Sequence, residues 1–331
     1  MMCIYFSFLL PLLLVGAGFA AAAGGTTERP IVGVLTVPLA SGGCVTGAGV
    51  LTAEAAAATS CFHSVYVKWL ESAGARVVPL RYDLPDGELL RLAASVNGIL
   101  FTGGDTPIIH THSQYMHAAG LLLNQTIAAQ DHFPLWGTCM GIQTLSILVA
   151  GTSDVLESGI FTGVDPQMMP LNMTPAAKTS RLLGAATTPP SILEILGQEH
   201  VTTNLHHDGV DPATFETNAR LRAFYDVLST NVDSSGHSFV STIEAKSVPV
   251  YAVQWHPERP QFDWTYGGRL NHGADAIEAM SWVSRFFVGE ARKNGRAFAN
   301  KLEEEQALIY NYAPQTGRSS YQAYLFAQLE L

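Results

Sequence analysis

Charged side chains are scarce in this 331-residue chain, 14% against 47% hydrophobic residues. That balance excludes a disordered chain and allows a sizeable core. Basic residues are the scarcer sign, since 18 Lys and Arg against 28 Asp and Glu leave a formal net charge of −10. With no basic face to displace counterions from phosphates, nucleic acid is not an expected partner. No internal repeat and no low-complexity block occurs beyond the amino terminus. The length admits two domains or one large α/β domain with insertions, and composition does not choose between them.

Residues 1–25 hold no Asp, Glu, Lys or Arg. Within them the run 4–15 (IYFSFLLPLLLV) is shorter than the roughly 20 residues that cross a bilayer as a helix. Ala20, Ala21, Ala22 and Ala23 then supply A-x-A cleavage sites. The stretch 1–23 reads as a secretory signal peptide, with an uncleaved anchor as the alternative. No later run is long enough to span a membrane, so stable membrane insertion is not expected. Cysteine is also rare, with 4 in all. Cys3 falls in the segment expected to be lost, which leaves Cys44, Cys61 and Cys139, and an odd number in a secreted chain leaves at least one thiol unpaired. Cys44 and Cys61 lie in the same amino-terminal region and are the expected pair in an oxidising compartment. Sequons at Asn124 and Asn172 fit that compartment, and Pro175 makes the second a poorer glycan acceptor.

Strand and helix signals alternate over the first half. The run 31–37 (IVGVLTV) suits a buried parallel strand. Residues 41–59, rich in Gly and Ala, read as a loop leading into a helix over 60–74 that ends at Gly74. Further strands are predicted at 76–80 and 98–102, with helices at 86–95, 114–130 and 140–149. This order is that of a doubly wound parallel sheet. The second half of 151–197 reads as strands and loops. Apolar runs at 239–244 and 248–255 flank Lys246-Ser247 as a hairpin, and 274–294 carries Ile277, Met280, Val283, Phe286 and Phe287 on one helical face.

The chemistry concentrates in Gly137-Thr138-Cys139-Met140-Gly141, between an apolar strand and an apolar helix. A nucleophile at such a turn adopts a strained backbone flanked by glycines, because side chains there would block close approach. Cys139 would stand at the carboxyl end of the sheet and at a helix amino terminus, whose partial charge favours an anionic sulfur. The Met140 N–H would face a developing oxyanion. A base is supplied by Gln254-Trp255-His256-Pro257-Glu258, where Pro257 stops a strand and Glu258 can fix the His256 tautomer. A lone cysteine is more often a buried hydrophobe and a lone histidine a structural residue; the two motifs together favour catalysis.

These motifs, with Gly98-Ile99-Leu100-Phe101-Thr102-Gly103-Gly104 and the stretch from Val67 to Pro79, resemble the gamma-glutamyl hydrolase family from about Pro30 through the tail. The resemblance implies a flavodoxin-like α/β fold of the class I glutamine amidotransferase type over 30–331, with a mostly parallel central sheet flanked by helices and a small antiparallel extension. It also implies a lysosomal, vacuolar or secreted enzyme that cuts gamma-linked glutamate from folylpoly-gamma-glutamates, a small-molecule substrate. By the same resemblance Cys139 is the nucleophile, His256 the base and Glu258 its orienting carboxylate. Gly103 and Gly104 join Met140 at the oxyanion, and His206 contacts substrate, with His207 the less favoured neighbour. Gln143 stands four residues after the cysteine, where animal members carry Glu and glutamine amidotransferases carry Gln. The chemistry calls for no metal and no cofactor.

Two other readings remain open on sequence. One is a glutaminase that passes ammonia to a synthetase, favoured by Gln143 and opposed by the signal peptide. The other is a non-catalytic binder of gamma-glutamyl compounds. Chain-length preference and oligomeric state, a homodimer included, are not readable. An acidic protein that binds a polyanion must gather its cations locally, so a positive groove near Cys139 is expected.

Overall fold

The computed structural model describes residues 25–40, 44, 57–316 and 322–327; the expected signal peptide and most of 41–59 lie outside them. Strand β1 (Ile31–Leu35) and the short β2 (Val37–Pro38) are followed by β3 (Ala58–His63), which runs directly into helix α1 (Ser64–Ser72). Next come β4 (Arg76–Leu80), α2 (Asp86–Ala93), β5 (Gly98–Phe101), α3 (Gln114–Ala128), β6 (Leu135–Thr138) and α4 (Met140–Ala150), in the expected alternation. The middle section holds β7 (Gln167–Met169), β8 (Asn172–Met173), α5 (Pro190–Gln198), β9 (Thr202–Asn204), α6 (Pro212–Thr217) and α7 (Ala219–Phe224). Then β10 (Tyr225–Val232), β11 (Ser238–Ala245), β12 (Val250–Val253), the single turn α8 (Arg259–Phe262) and the long α9 (Ala274–Arg292) lead to α10 (Lys301–Ala307), β13 (Gln315–Thr316) and β14 (Gln322–Ala327).

The main sheet has the order β4-β1-β5-β6-β12-β11-β10-β8. Its first five strands are parallel, and β11, β10 and β8 continue it antiparallel. This is the mostly parallel sheet with an antiparallel extension that the sequence predicts. The continuous apolar runs follow from burial on both faces. Along β1, Ile31 and Leu35 enter one core while Val32 and Val34 enter the other. Helices α2, α3 and α4 close the first core through Leu89, Leu122 and Leu145. Helices α1, α5 and α9 close the second through Trp69, Ile192 and Phe287. There the rings of Trp69 and Trp136 lie 5.7 Å apart and those of Trp136 and Phe287 5.6 Å apart. Each such ring, fully buried, contributes about 1.5–3 kcal/mol.

Two expectations are corrected. The helix predicted over 60–74 starts only at Ser64, because Ala58–His63 is a strand that pairs with β14 and β2. Those partners are remote in sequence, so local periodicity carries no trace of them. The second half of 151–197 contains a helix, α5, not only strands and loops. Pro190 sits in its first turn, and Ile192, Ile195 and Leu196 form its buried stripe. The expected disulfide is present, joining Cys44 to Cys61 and leaving Cys139 as the free thiol among the described residues. Both sequon asparagines are exposed, Asn124 on α3 and Asn172 on the edge strand β8.

Candidate active site

The parallel strands deliver the site at their carboxyl ends, where ligands of open α/β sheets bind. β6 and β12 are neighbours, with Thr138 opposite Val253. The residues that follow each strand, Cys139 and Gln254, are therefore brought together, and the Cys139 N–H donates to the Val253 carbonyl at 2.8 Å. Cys139 caps α4 with φ 53° and ψ −108°. For a residue with a side chain this backbone costs about 1–3 kcal/mol, and it aims the thiol off the end of the sheet. The flanking glycines are packing requirements. A Cβ on Gly141 would lie 2.6 Å from the Phe101 carbonyl oxygen, and one on Gly137 2.9 Å from the Gly141 carbonyl carbon.

His256 follows β12, its N–H bonded to the Thr203 carbonyl at 2.8 Å. Its Nδ1–H donates to Glu258 Oε1 at 2.6 Å, which turns Nε2 away from the carboxylate. Both side chains are buried. Burial by itself lowers an imidazole, but the Glu258 carboxylate and then the Cys139 sulfur, also a hydrogen-bond partner, outweigh it and push His256 up to about 9. An imidazolium beside the sulfur at neutral pH is the arrangement a thiolate nucleophile needs. Arg259 stands behind, its Nε 3.4 Å from Glu258 Oε1 and its Nη1 paired with Asp263.

Around this pair lies a cleft of about 390 Å³ that includes Gly103, Gly104, Gln143 and His206 in its wall. Met140 opens α4, so its N–H has no partner within the helix. The Gly103 N–H donates to Tyr66 Oη at 2.7 Å. A carbonyl oxygen arriving there must displace that hydroxyl or receive its proton. Gln143 is held by its Nε2, which donates to the Asp208 carbonyl at 2.8 Å and to Gln254 Oε1 at 3.2 Å. The His206 Nδ1–H donates to the Asp208 carbonyl at 2.9 Å, and its Nε2 is buried with no hydrogen-bond partner. Desolvation pushes His206 down to about 3, so it is neutral and Nε2 is an acceptor. His207 is exposed by comparison and borders the same cleft.

Two residues of this site were not picked out by sequence. Tyr66, in α1, meets Gly103 in the loop that follows β5. Gln254 donates through Nε2 to Cys139 Sγ at 3.6 Å. Only the adjacency of β6 and β12 gives Gln254 this contact, although it stands inside the histidine motif. The expected positive groove is not found in the cleft. Asp105, Asp165 and Asp208 contribute to its wall, and its cations among the described residues, His256 and Arg259, are already paired with Glu258 and Asp263.

Comparison with known proteins agrees with this geometry. A family model described as Peptidase C26 matches residues 47–258. Gamma-glutamyl hydrolase of Mus musculus is 37% identical over 331 residues, covering 97% of this chain and 98% of that protein. That of Homo sapiens is 39% identical over 269 residues, with 79% and 81% covered. Gamma-glutamyl hydrolase B of Dictyostelium discoideum is 37% identical over 291 residues, with 87% and 79% covered. With the strand-end cysteine, the Glu258-held histidine and matches of this extent, the chain belongs to the gamma-glutamyl hydrolases of the Peptidase C26 family.

Proposed function

We propose that this protein hydrolyses gamma-glutamyl bonds of poly-gamma-glutamate chains, folylpoly-gamma-glutamates among them, through a thioester on Cys139. The observation that carries the reading is the buried Cys139, His256 and Glu258 set at adjoining strand ends, with His256 held as imidazolium. The Cys139 sulfur attacks the γ-carbonyl carbon, forming the C–S bond and an oxyanion received by the Met140 and Gly104 N–H groups with help from the Tyr66 and Gly103 pair. His256 gives its proton to the amide nitrogen as the C–N bond breaks. Now neutral, it takes one proton from a water whose oxygen adds to the thioester carbon; the C–S bond breaks to return the thiolate, and the γ-carboxyl group loses its proton to the released amine or to solvent. His206, a neutral acceptor, fits a substrate N–H, and Gln143 holds the wall beside it.

The domain 30–331 acts as one catalytic unit behind a leader of 1–23. The leader and the exposed Asn124 sequon support a place in the secretory route, ending in lysosome, vacuole or the exterior. Purified mature protein is expected to release glutamate or short gamma-glutamyl peptides from a poly-gamma-glutamate substrate, read by mass. Cys139→Ala lowers that turnover by at least about 10³-fold. Unchanged turnover in Cys139→Ala would sink the mechanism, and a preference for free glutamine over gamma-glutamyl peptides would favour the glutaminase alternative.

A further inference from the structure

Beside the catalytic cleft lies a second one of about 170 Å³, and the two share His63 and Arg259 as a common wall. Its far side is built from Ser64 and Lys68 of α1, from Trp264 and from Gln322 at the start of β14. The charges here do not cancel. Arg259 is neutralised by Asp263, while the Glu258 charge is taken up by the His256 imidazolium. Lys68, half-buried, donates through Nζ to the neutral Gln322 Oε1 at 2.8 Å and forms no ion pair among the described residues. The Ser64 hydroxyl is buried without a hydrogen-bond partner. Such groups are costly in a folded protein unless something else satisfies them. At the rim, Trp264 is 69% exposed. Its indole stacks on His272 with centroids 3.9 Å apart, which leaves one flat apolar face free.

We infer that this second cleft is an outer subsite for the glutamyl unit next to the scissile one, with Lys68 and Ser64 taking its α-carboxylate and Trp264 packing against its two methylenes. The inference rests on the hydrolase reading above. It supplies the local cation that an acidic protein needs for a polyanionic chain, displaced by one subsite from the cleft that lacks it. A unit reaching the subsite gains one charge-assisted hydrogen bond in a partly buried setting, enough to set a chain-length preference.

The test compares a substrate with a single gamma-glutamyl bond and one with three, using wild type, Lys68→Met and Lys68→Arg. In Lys68→Met the kcat/KM ratio of long to short substrate falls about tenfold, mainly through KM, while Lys68→Arg keeps most of it. Added salt narrows the wild-type preference. A ratio unchanged in Lys68→Met, or an equal loss on both substrates, overturns the subsite. Wild-type protein that cleaves neither substrate overturns the hydrolase reading instead. Calorimetry of tri-gamma-glutamate binding to the Cys139→Ala protein then decides the subsite. Weaker binding on adding Lys68→Met sustains it, and equal binding overturns it.

Discussion

At the residue scale, two histidines in one cleft are driven in opposite directions. His206 and His256 are both buried, so desolvation pulls both down. His256 escapes because Glu258 and Cys139 stand against it, whereas the partner of His206 is a backbone carbonyl, too weak to compensate. Only one of them is therefore a proton donor at neutral pH. The proposed first step needs His256 protonated, so kcat is expected to fall as pH rises through about 9. Glu258→Gln removes the leading attraction, so the alkaline limb moves to lower pH and kcat drops by about 10²–10⁴. A pH–rate profile checks both, and an alkaline limb unmoved by Glu258→Gln would contradict the assignment. Stability follows the same sign. A histidine raised above 6.5 stabilises fully below that value, and its contribution is lost as pH rises through about 9.

At the element scale, helix α9 is tied to β12 by more than apolar packing. Glu290 of α9 accepts from Tyr251 Oη at 2.8 Å, lies 2.8 Å from His132 Nε2 and pairs with Lys293. Burial raises a carboxyl, but these donors outweigh it and hold Glu290 down at about 2, from 4.5. Its contribution is thus present above pH 4.5 and lost as pH falls through about 2. Replacing it by Gln should cost about 1–3 kcal/mol at pH 7, since the residue is buried and hydrogen-bonded. The penalty in melting temperature should shrink as the pH of a thermal scan is lowered from 5 to about 2. A penalty independent of pH would mean that shape, not charge, holds α9 in place. Elements also explain the missed strand. The sequence of β3, Ala58–His63, runs without a break into α1. Its strand character comes from pairing, Leu325 lying opposite Cys61 and Val37 on the other side.

At the scale of the whole molecule, segments far apart in the chain meet beside the site. β14 pairs with β3, and Phe326 and Tyr324 lie against Phe62 with centroids 5.1 and 5.9 Å away. β3 ends at His63, which lines both clefts, and leads into α1, which carries Tyr66 and Lys68, so β14 supports the wall of both clefts. A chain ended after residue 316 should lose about 3–5 kcal/mol, the cost of emptying one buried aromatic site, and part of its turnover. Thermal melting and hydrolysis of the short substrate measure this, and wild-type values for both would refute it. What the sequence determined by itself was everything that short-range sterics and chemistry dictate. Cys139 between glycines, Pro257 ending a strand before Glu258, and apolar runs too continuous for a one-sided sheet each carry their reason within a few residues. Tertiary structure alone decided the rest. The Tyr66 hydroxyl on Gly103, the Gln254 amide on the sulfur, the neutral state of His206 and the placement of Lys68 against Gln322 depend on burial and on pairings between residues far apart in the chain. Desolvation and long-range contact are properties of the assembled core, and no local window of residues contains them.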